Sequence, residues 1–236
     1  MKMIRLALLA VVSSAMSLTS MAQTADEIIS KHIEAIGGKD NLSKVTSLYT
    51  EGSTDLMGSP SPLVTYKVDG KGFKSELSFN GSNIVNGFND KGAWSINPFG
   101  GNPSAVALPD EVFQSQKTSI YTGGILLDYA SKGAKVELTG TEEGAYKLKV
   151  TTNNAVTFFY IDTATYLIKK QVVKGELMGE SLDVTTSYSD YKKVDGAGIS
   201  IPYAYVMDIG QYTLSTTVSK VEVNKQIDPA IFEMPK

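Results

Sequence analysis

The sequence predicts a mainly β protein of the α+β class, organised on antiparallel sheet. Three observations carry that expectation. First, apolar and polar residues alternate with a period of two through five successive runs after Tyr146, and a further run ends at Val223. Second, another meander of such runs occupies Val45 to Ile96, punctuated by glycine-containing turns. Third, helical patterns are confined to the N-terminus and to one insert between the two meanders. Period-two alternation gives a sheet one apolar and one wet face, and the apolar face must be laid against something.

The later meander reads as follows. Tyr146, Leu148 and Val150 alternate with Lys147, Lys149 and Thr151. Val156, Phe158 and Tyr160 follow, with Phe159 and Ile161 on the other face. Next come Tyr166 to Val172, Leu182 to Tyr188, and Ile199 to Met207. In the final run Tyr212, Leu214 and Val218 share one parity and Val221 and Val223 the other, which predicts a bulge.

At the start of the chain, Lys2 and Arg5 precede an apolar run, Ile4 to Val12, and Ser20-Met21-Ala22 supplies small residues for a peptidase. Residues 1–22 are therefore expected to be a cleaved secretory signal peptide, and 23–236 one domain. No second stretch is long and apolar enough to span a bilayer. The 236 residues contain no cysteine, so neither a lipid-modified N-terminal cysteine nor a disulfide is expected. Removing Lys2 and Arg5 leaves 20 basic against 25 acidic residues, a net charge of −5, with no arginine. Nucleic-acid binding, which leans on clustered Arg and Lys, is not expected.

Thr24 and Glu27 form a capping box for a helix whose stripe is Ile28, Ile29, Ile33 and Ile36, ended by Gly37-Gly38. Asp40 caps a short turn after it. His32, the sole histidine, is read as a helix-surface or boundary residue. Met57 to Pro62 reads as a turn, Asp69 to Gly72 and Asn80-Gly81 as hairpin turns, and Ala93 to Ile96 as a strand carrying the single tryptophan, Trp94. Asn97 to Pro103 breaks the pattern. Helices are expected over 109–117 and 125–132, as cover for the sheet. The tail from Ile227 ends in a turn pinned by Phe232.

Catalytic patterns are sparse. With one histidine and no cysteine, a triad or thiol mechanism has no parts, and neither a P-loop nor a dinucleotide fingerprint occurs. Carboxylate pairs fall at helix starts and turns, and neither a calcium loop nor a metal-ligand spacing is present. No enzyme, cofactor or metal is expected. The aromatic set Tyr66, Trp94, Tyr146, Phe158, Tyr160, Tyr203, Tyr205 and Tyr212 is assigned to one inward face. Those rings either fill an ordinary core or line a slot that the helices leave open.

The order of elements, with Ile36-Gly37-Gly38, Phe159-Tyr160-Ile161-Asp162, Asp190-Tyr191-Lys192-Lys193-Val194, Ile201-Pro202 and Ile231-Phe232-Glu233-Met234-Pro235, resembles the LolA/LolB-like superfamily of periplasmic lipoprotein carriers and lipid-binding domains. The resemblance implies a single highly curved antiparallel sheet, a half-open barrel closed by an N-terminal helix and a central helical lid. It implies an apolar cavity that receives the acyl chains of lipids or lipoproteins without chemistry. Tyr66, Leu77, Trp94, Phe158, Tyr160 and Tyr205 would line it from the sheet, and Phe113, Leu126 and Tyr129 from the lid. The family's carriers have an arginine on an early strand that latches the lid; no arginine remains here beyond residue 22. The alternative is an envelope protein-interaction module with a filled core.

Overall fold

The computed structural model describes residues 23–152, 155–177, 180–210 and 212–236, with side chains of 176–182 outside that description. The expected signal peptide, 1–22, lies outside the described residues.

One antiparallel sheet of 13 strands, β1 Ser47–Leu56, β2 Ser59–Val68, β3 Gly72–Phe79, β4 Ser82–Asn89, β5 Ala93–Asn97, β6 Asn102–Ala107, β7 Lys135–Glu142, β8 Ala145–Thr152, β9 Ala155–Asp162, β10 Ile168–Leu177, β11 Glu180–Lys193, β12 Ser200–Asp208 and β13 Thr213–Val223, takes up more than half of the described residues. Its order is β6-β5-β4-β3-β2-β1-β13-β12-β11-β10-β9-β8-β7, so the two meanders join where β1 pairs with β13. The expected bulge is there: Glu51 pairs with Lys220 but Gly52 with Val218, which leaves Ser219 as the extra residue.

The helices are α1 Ala25–Ala35, α2 Lys39–Leu42 and α3 Asp110–Gln116. The Thr24–Glu27 capping box of α1 is present. The short turn is capped by Gly38, at φ +83°, and not by Asp40. α3 touches β5, β9 and β10. In a flat sheet β5 and β10 would stand roughly 38 Å apart, eight strand spacings of about 4.8 Å. A seven-residue helix is only about 10 Å long. The sheet therefore curls strongly, with α3 across its mouth, while edges β6 and β7 stay unpaired to each other.

Two apolar clusters fill one end of this trough. The larger joins Ile28, Ile29 and Ile33 of α1 to Ile125, Leu126 and Leu127, to Leu148, Val150, Phe159 and Ile161 of β8 and β9, and to Val194 and Ile199. The smaller joins Phe88 and Ala93 to Phe113 and Ile120. Tyr121 packs against both.

Several elements differ from expectation for local reasons. Residues 125–132 form turns and a short 3-10 segment, because Gly124, Asp128 and Gly133 adopt positive φ. Three consecutive side chains, Ile125, Leu126 and Leu127, are thereby all buried, which a helix with 100° between neighbours would not allow. Pro60 and Pro62 lie within β2, beyond the residues that pair with β3, where a missing N–H costs no ladder bond. Pro103 sits likewise in edge strand β6.

His32 is buried, 3% exposed, and not at the surface. Its Nδ1–H donates to the Tyr166 carbonyl at 2.8 Å, tying α1 to the β9–β10 turn. Burial pushes its pKa below the usual value, with the carbonyl bond opposing. The unfolded chain thus takes up this proton first, so the stability at stake is full above the unfolded pKa near 6.5 and is lost as pH falls through that region. The fall should reach at most about 1.4 kcal/mol per pH unit for one proton. Urea titrations from pH 7.5 to 5 should show a steeper loss for the native chain than for His32→Leu; equal slopes would remove His32 from the account.

Candidate trough between sheet and helices

Register assigns each strand residue to a face. Leu48, Lys67, Phe73, Phe88 and Ala93 form one row across the sheet on the helix-covered side. The next row toward the opposite end is polar: Thr50, Thr65, Ser75 and Asn86, with a hydroxyl contact of 2.6 Å between Thr50 and Thr65. Then comes an apolar row, Val218, Gly52, Leu63, Leu77 and Ile84. Beyond it Thr216, Thr54 and Ser61 are buried, with Thr54 and Thr216 hydroxyls 2.8 Å apart. Across β12 and β11 the same side carries Tyr205 and Tyr188, 6.4 Å between ring centres, and the Tyr188 hydroxyl donates to Gln171 Oε1 at 3.0 Å.

The apolar members of this side, Leu63, Leu77, Ile84, Val173, Leu214, Met207 and Val218, are only half-buried, unlike those under the helices. The trough is filled at the helical end; beyond it the apolar side chains are half-buried, while Thr54, Ser61, Thr186 and Thr216 are buried. Its phenols feel the enclosure: desolvation pushes Tyr188 up to about 12, and raises Tyr191 and Tyr205 as well.

Lys67 stands out. Its side chain is half-buried on the helix-covered side of the sheet, in one row with Leu48 and Phe73. Its Nζ lies 5.6 Å from the centre of the Phe73 ring, and no hydrogen bond or ion pair to it occurs among the described residues. Desolvation lowers its pKa to about 8, opposed by the charge of Asp69.

The nine residues expected to line a cavity divide between faces. Leu77 and Tyr205 lie on the trough side of the sheet. Phe113 is buried in the smaller cluster, and Leu126 in the larger. Tyr129 packs beside Leu126, and its hydroxyl donates to Asp26 Oδ1 of α1 at 2.6 Å. Tyr66, Trp94, Phe158 and Tyr160 are on the opposite, outer face. Tyr66 shares a row with Tyr49, Lys74, Gly87 and Trp94. Phe158 and Tyr160 pair with Lys149 and Lys147, and the Lys147 ammonium stands 5.2 and 5.4 Å from their ring centres. Lysine stems shelter Phe158 and Tyr160 and the C-terminal turn covers Trp94, so large aromatics lie on both faces and do not by themselves mark the inside.

Sequence reading also missed Lys67, Gln171 and Tyr188 as trough residues. In β2 the apolar set Val64, Tyr66 and Val68 reads as the inner parity, whereas Thr65 and Lys67 face the trough. A charged residue flanked by apolar neighbours in a strand was the available signal.

No protein-family model matches the chain, and no curated protein matches it. Among the described residues no cluster of three or more potential metal ligands occurs, and no helix is long and apolar enough to cross a membrane. Solved structures do match. A LolA superfamily protein from Nitrosomonas europaea aligns with a TM-score of 0.57 at 12% identity, over 90% of this chain and 98% of its own. A DUF1329 family protein from Desulfovibrio piger aligns at 0.54 and 16% identity, covering 87% and 95%. A domain described as an outer membrane lipoprotein-sorting protein, from Vibrio parahaemolyticus, aligns at 0.50 and 14% identity, covering 88% and 95%. The fold of this chain is that of the LolA superfamily proteins.

Proposed function

We propose that the protein is an exported, periplasmic binder or carrier of an acylated or other apolar ligand, a lipid or a lipoprotein, held in the trough without catalysis. The observation that carries this reading is the half-buried apolar row Val218, Leu63, Leu77 and Ile84, with Tyr205 and Met207, inside a sheet curled under α3. Burying an acyl chain there contributes about 0.8 kcal/mol per methylene. The lipoprotein-sorting description of the Vibrio domain, which shares this fold, supports the same class of ligand.

Organic extraction of the purified protein and lipid mass spectrometry should find a co-purifying lipid, and a fluorescent fatty acid should be taken up. Leu77→Asp, which puts a carboxylate in the apolar row, should reduce uptake at least tenfold. Phe158→Asp should leave uptake unchanged, because that side chain faces outward between Lys147 and Lys149. Loss in the Phe158 variant with uptake intact in the Leu77 variant would put the ligand on the other face.

A second reading, an envelope protein-interaction module, is favoured by one feature. Met57, Phe99 and Tyr212, 77%, 52% and 53% exposed, occupy the β1–β2, β5–β6 and β12–β13 connections. Antiparallel order places all three at the rim away from the helices. Absence of any lipid and of fatty-acid uptake would select this reading.

A further inference from the structure

We propose that the ligand of the trough is an amphiphile with an anionic head, and that Lys67 is the counter-charge that receives it. The inference rests on the carrier reading. A half-buried ammonium with no hydrogen bond or ion pair among the described residues, and only the charge of Asp69 to offset its desolvation, is a costly arrangement, and an arriving anion reduces the cost. Lys67 lies in the row at the helix-filled end of the trough. The adjoining row on the same face is a belt of hydroxyl and amide groups, Thr50, Thr65, Ser75 and Asn86. The next row is apolar, Val218, Leu63, Leu77 and Ile84.

Charge, neutral hydrogen-bonding groups and apolar surface thus follow one another along a single face. That sequence matches a carboxylate or phosphate head, a polar ester or hydroxyl neck, and an apolar tail that runs toward the rim past Thr54 and Thr216, whose hydroxyls already satisfy each other. A wholly apolar guest would leave the ammonium and the side chains of Ser75 and Asn86 desolvated and unmatched. Phe73, whose ring lies beside the ammonium, supplies an apolar wall to the head site.

The test uses oleic acid, oleoyl lysophosphatidic acid and oleyl alcohol, titrated at neutral pH into the full mature chain, Lys67→Met and Lys67→Arg. The native chain should bind at least one of the two acids tenfold or more tighter than the alcohol, and which acid wins distinguishes a carboxylate from a phosphate head. Lys67→Met should lose that preference while keeping its affinity for the alcohol, and Lys67→Arg should restore most of it. Circular dichroism melting confirms that each variant is folded. A methionine variant that keeps the preference, or that loses acid and alcohol alike, overturns the assignment while the carrier reading stands. A native chain that binds none of the three overturns both.

Discussion

Lys67→Met is expected to stabilise the protein at pH 7 by about 2 kcal/mol, a rise in Tm of about 6 °C for a domain of this size. Desolvation draws the Lys67 pKa from 10.5 down to about 8, with Asp69 opposing. A displacement of that size corresponds to roughly 3 kcal/mol against the charged form at 1.36 kcal/mol per pH unit, and the water still reaching the side chain reduces it. The sign follows from proton binding. Below pH 8 both folded and unfolded chains hold the proton, and the penalty is constant. Between about 8 and 10.5 the folded chain has released the proton and the unfolded chain has not, so stability rises with pH. Above 10.5 the penalty is gone. The methionine variant's advantage is therefore full below pH 8 and vanishes near pH 10.5, which urea unfolding at pH 7 and 10.5 measures. A variant less stable than the native chain at pH 7 would mean that the ammonium is satisfied in the fold. A residue that costs stability at the helical end of the trough is the pattern expected where function, not folding, selects the side chain.

The contrast between what the sequence reveals and conceals follows from where each signal resides. Local signals read correctly: the Thr24–Glu27 box, the Asn80-Gly81 hairpin and the parity slip before Val221 each depend on neighbours in the chain, and each is present. The curled single sheet is legible through element order. Face assignment is not, because both faces carry apolar side chains. Phe159 and Ile161 point into the larger cluster, while Phe158 and Tyr160 on the same strand lie outside under Lys147 and Lys170. Alternation alone gives two equivalent parities, and choosing the more aromatic one selects the lysine-sheltered face. His32 is missed for a related reason. Its burial depends on the carbonyl of Tyr166, 134 residues away, which no local pattern reports. The trough side shows the converse: its polar belt makes β2 and β3 look solvent-facing on the side where the helices lie.

The outer face supplies the second large effect. Phe232→Ala should destabilise the protein by about 3 kcal/mol and expose its single tryptophan while leaving trough binding intact. The C-terminal turn, Pro229–Phe232, folds back over β3, β4 and β5 on the side opposite the helices. Phe232 is 1% exposed and lies over Gly72, where a Cβ would come 2.3 Å from the ring. Its carbonyl accepts from Trp94 Nε1 at 2.9 Å, and the indole lies flush on Gly87, where a Cβ would stand 2.2 Å from Trp94 Cε2. Two glycines on neighbouring strands thus make room for two rings, and the ring of Phe232 is what seats the carbonyl over the indole. Truncation empties that seat, the tail loses its anchor, and Trp94, 3% exposed in the native fold, meets water. The expected readout is a red-shifted emission together with a lower urea midpoint, at unchanged fatty-acid affinity. Because tail and trough lie on opposite faces, loss of affinity in step with the emission shift would show that the sheet's curl depends on the tail, and that the two faces act as one mechanical unit.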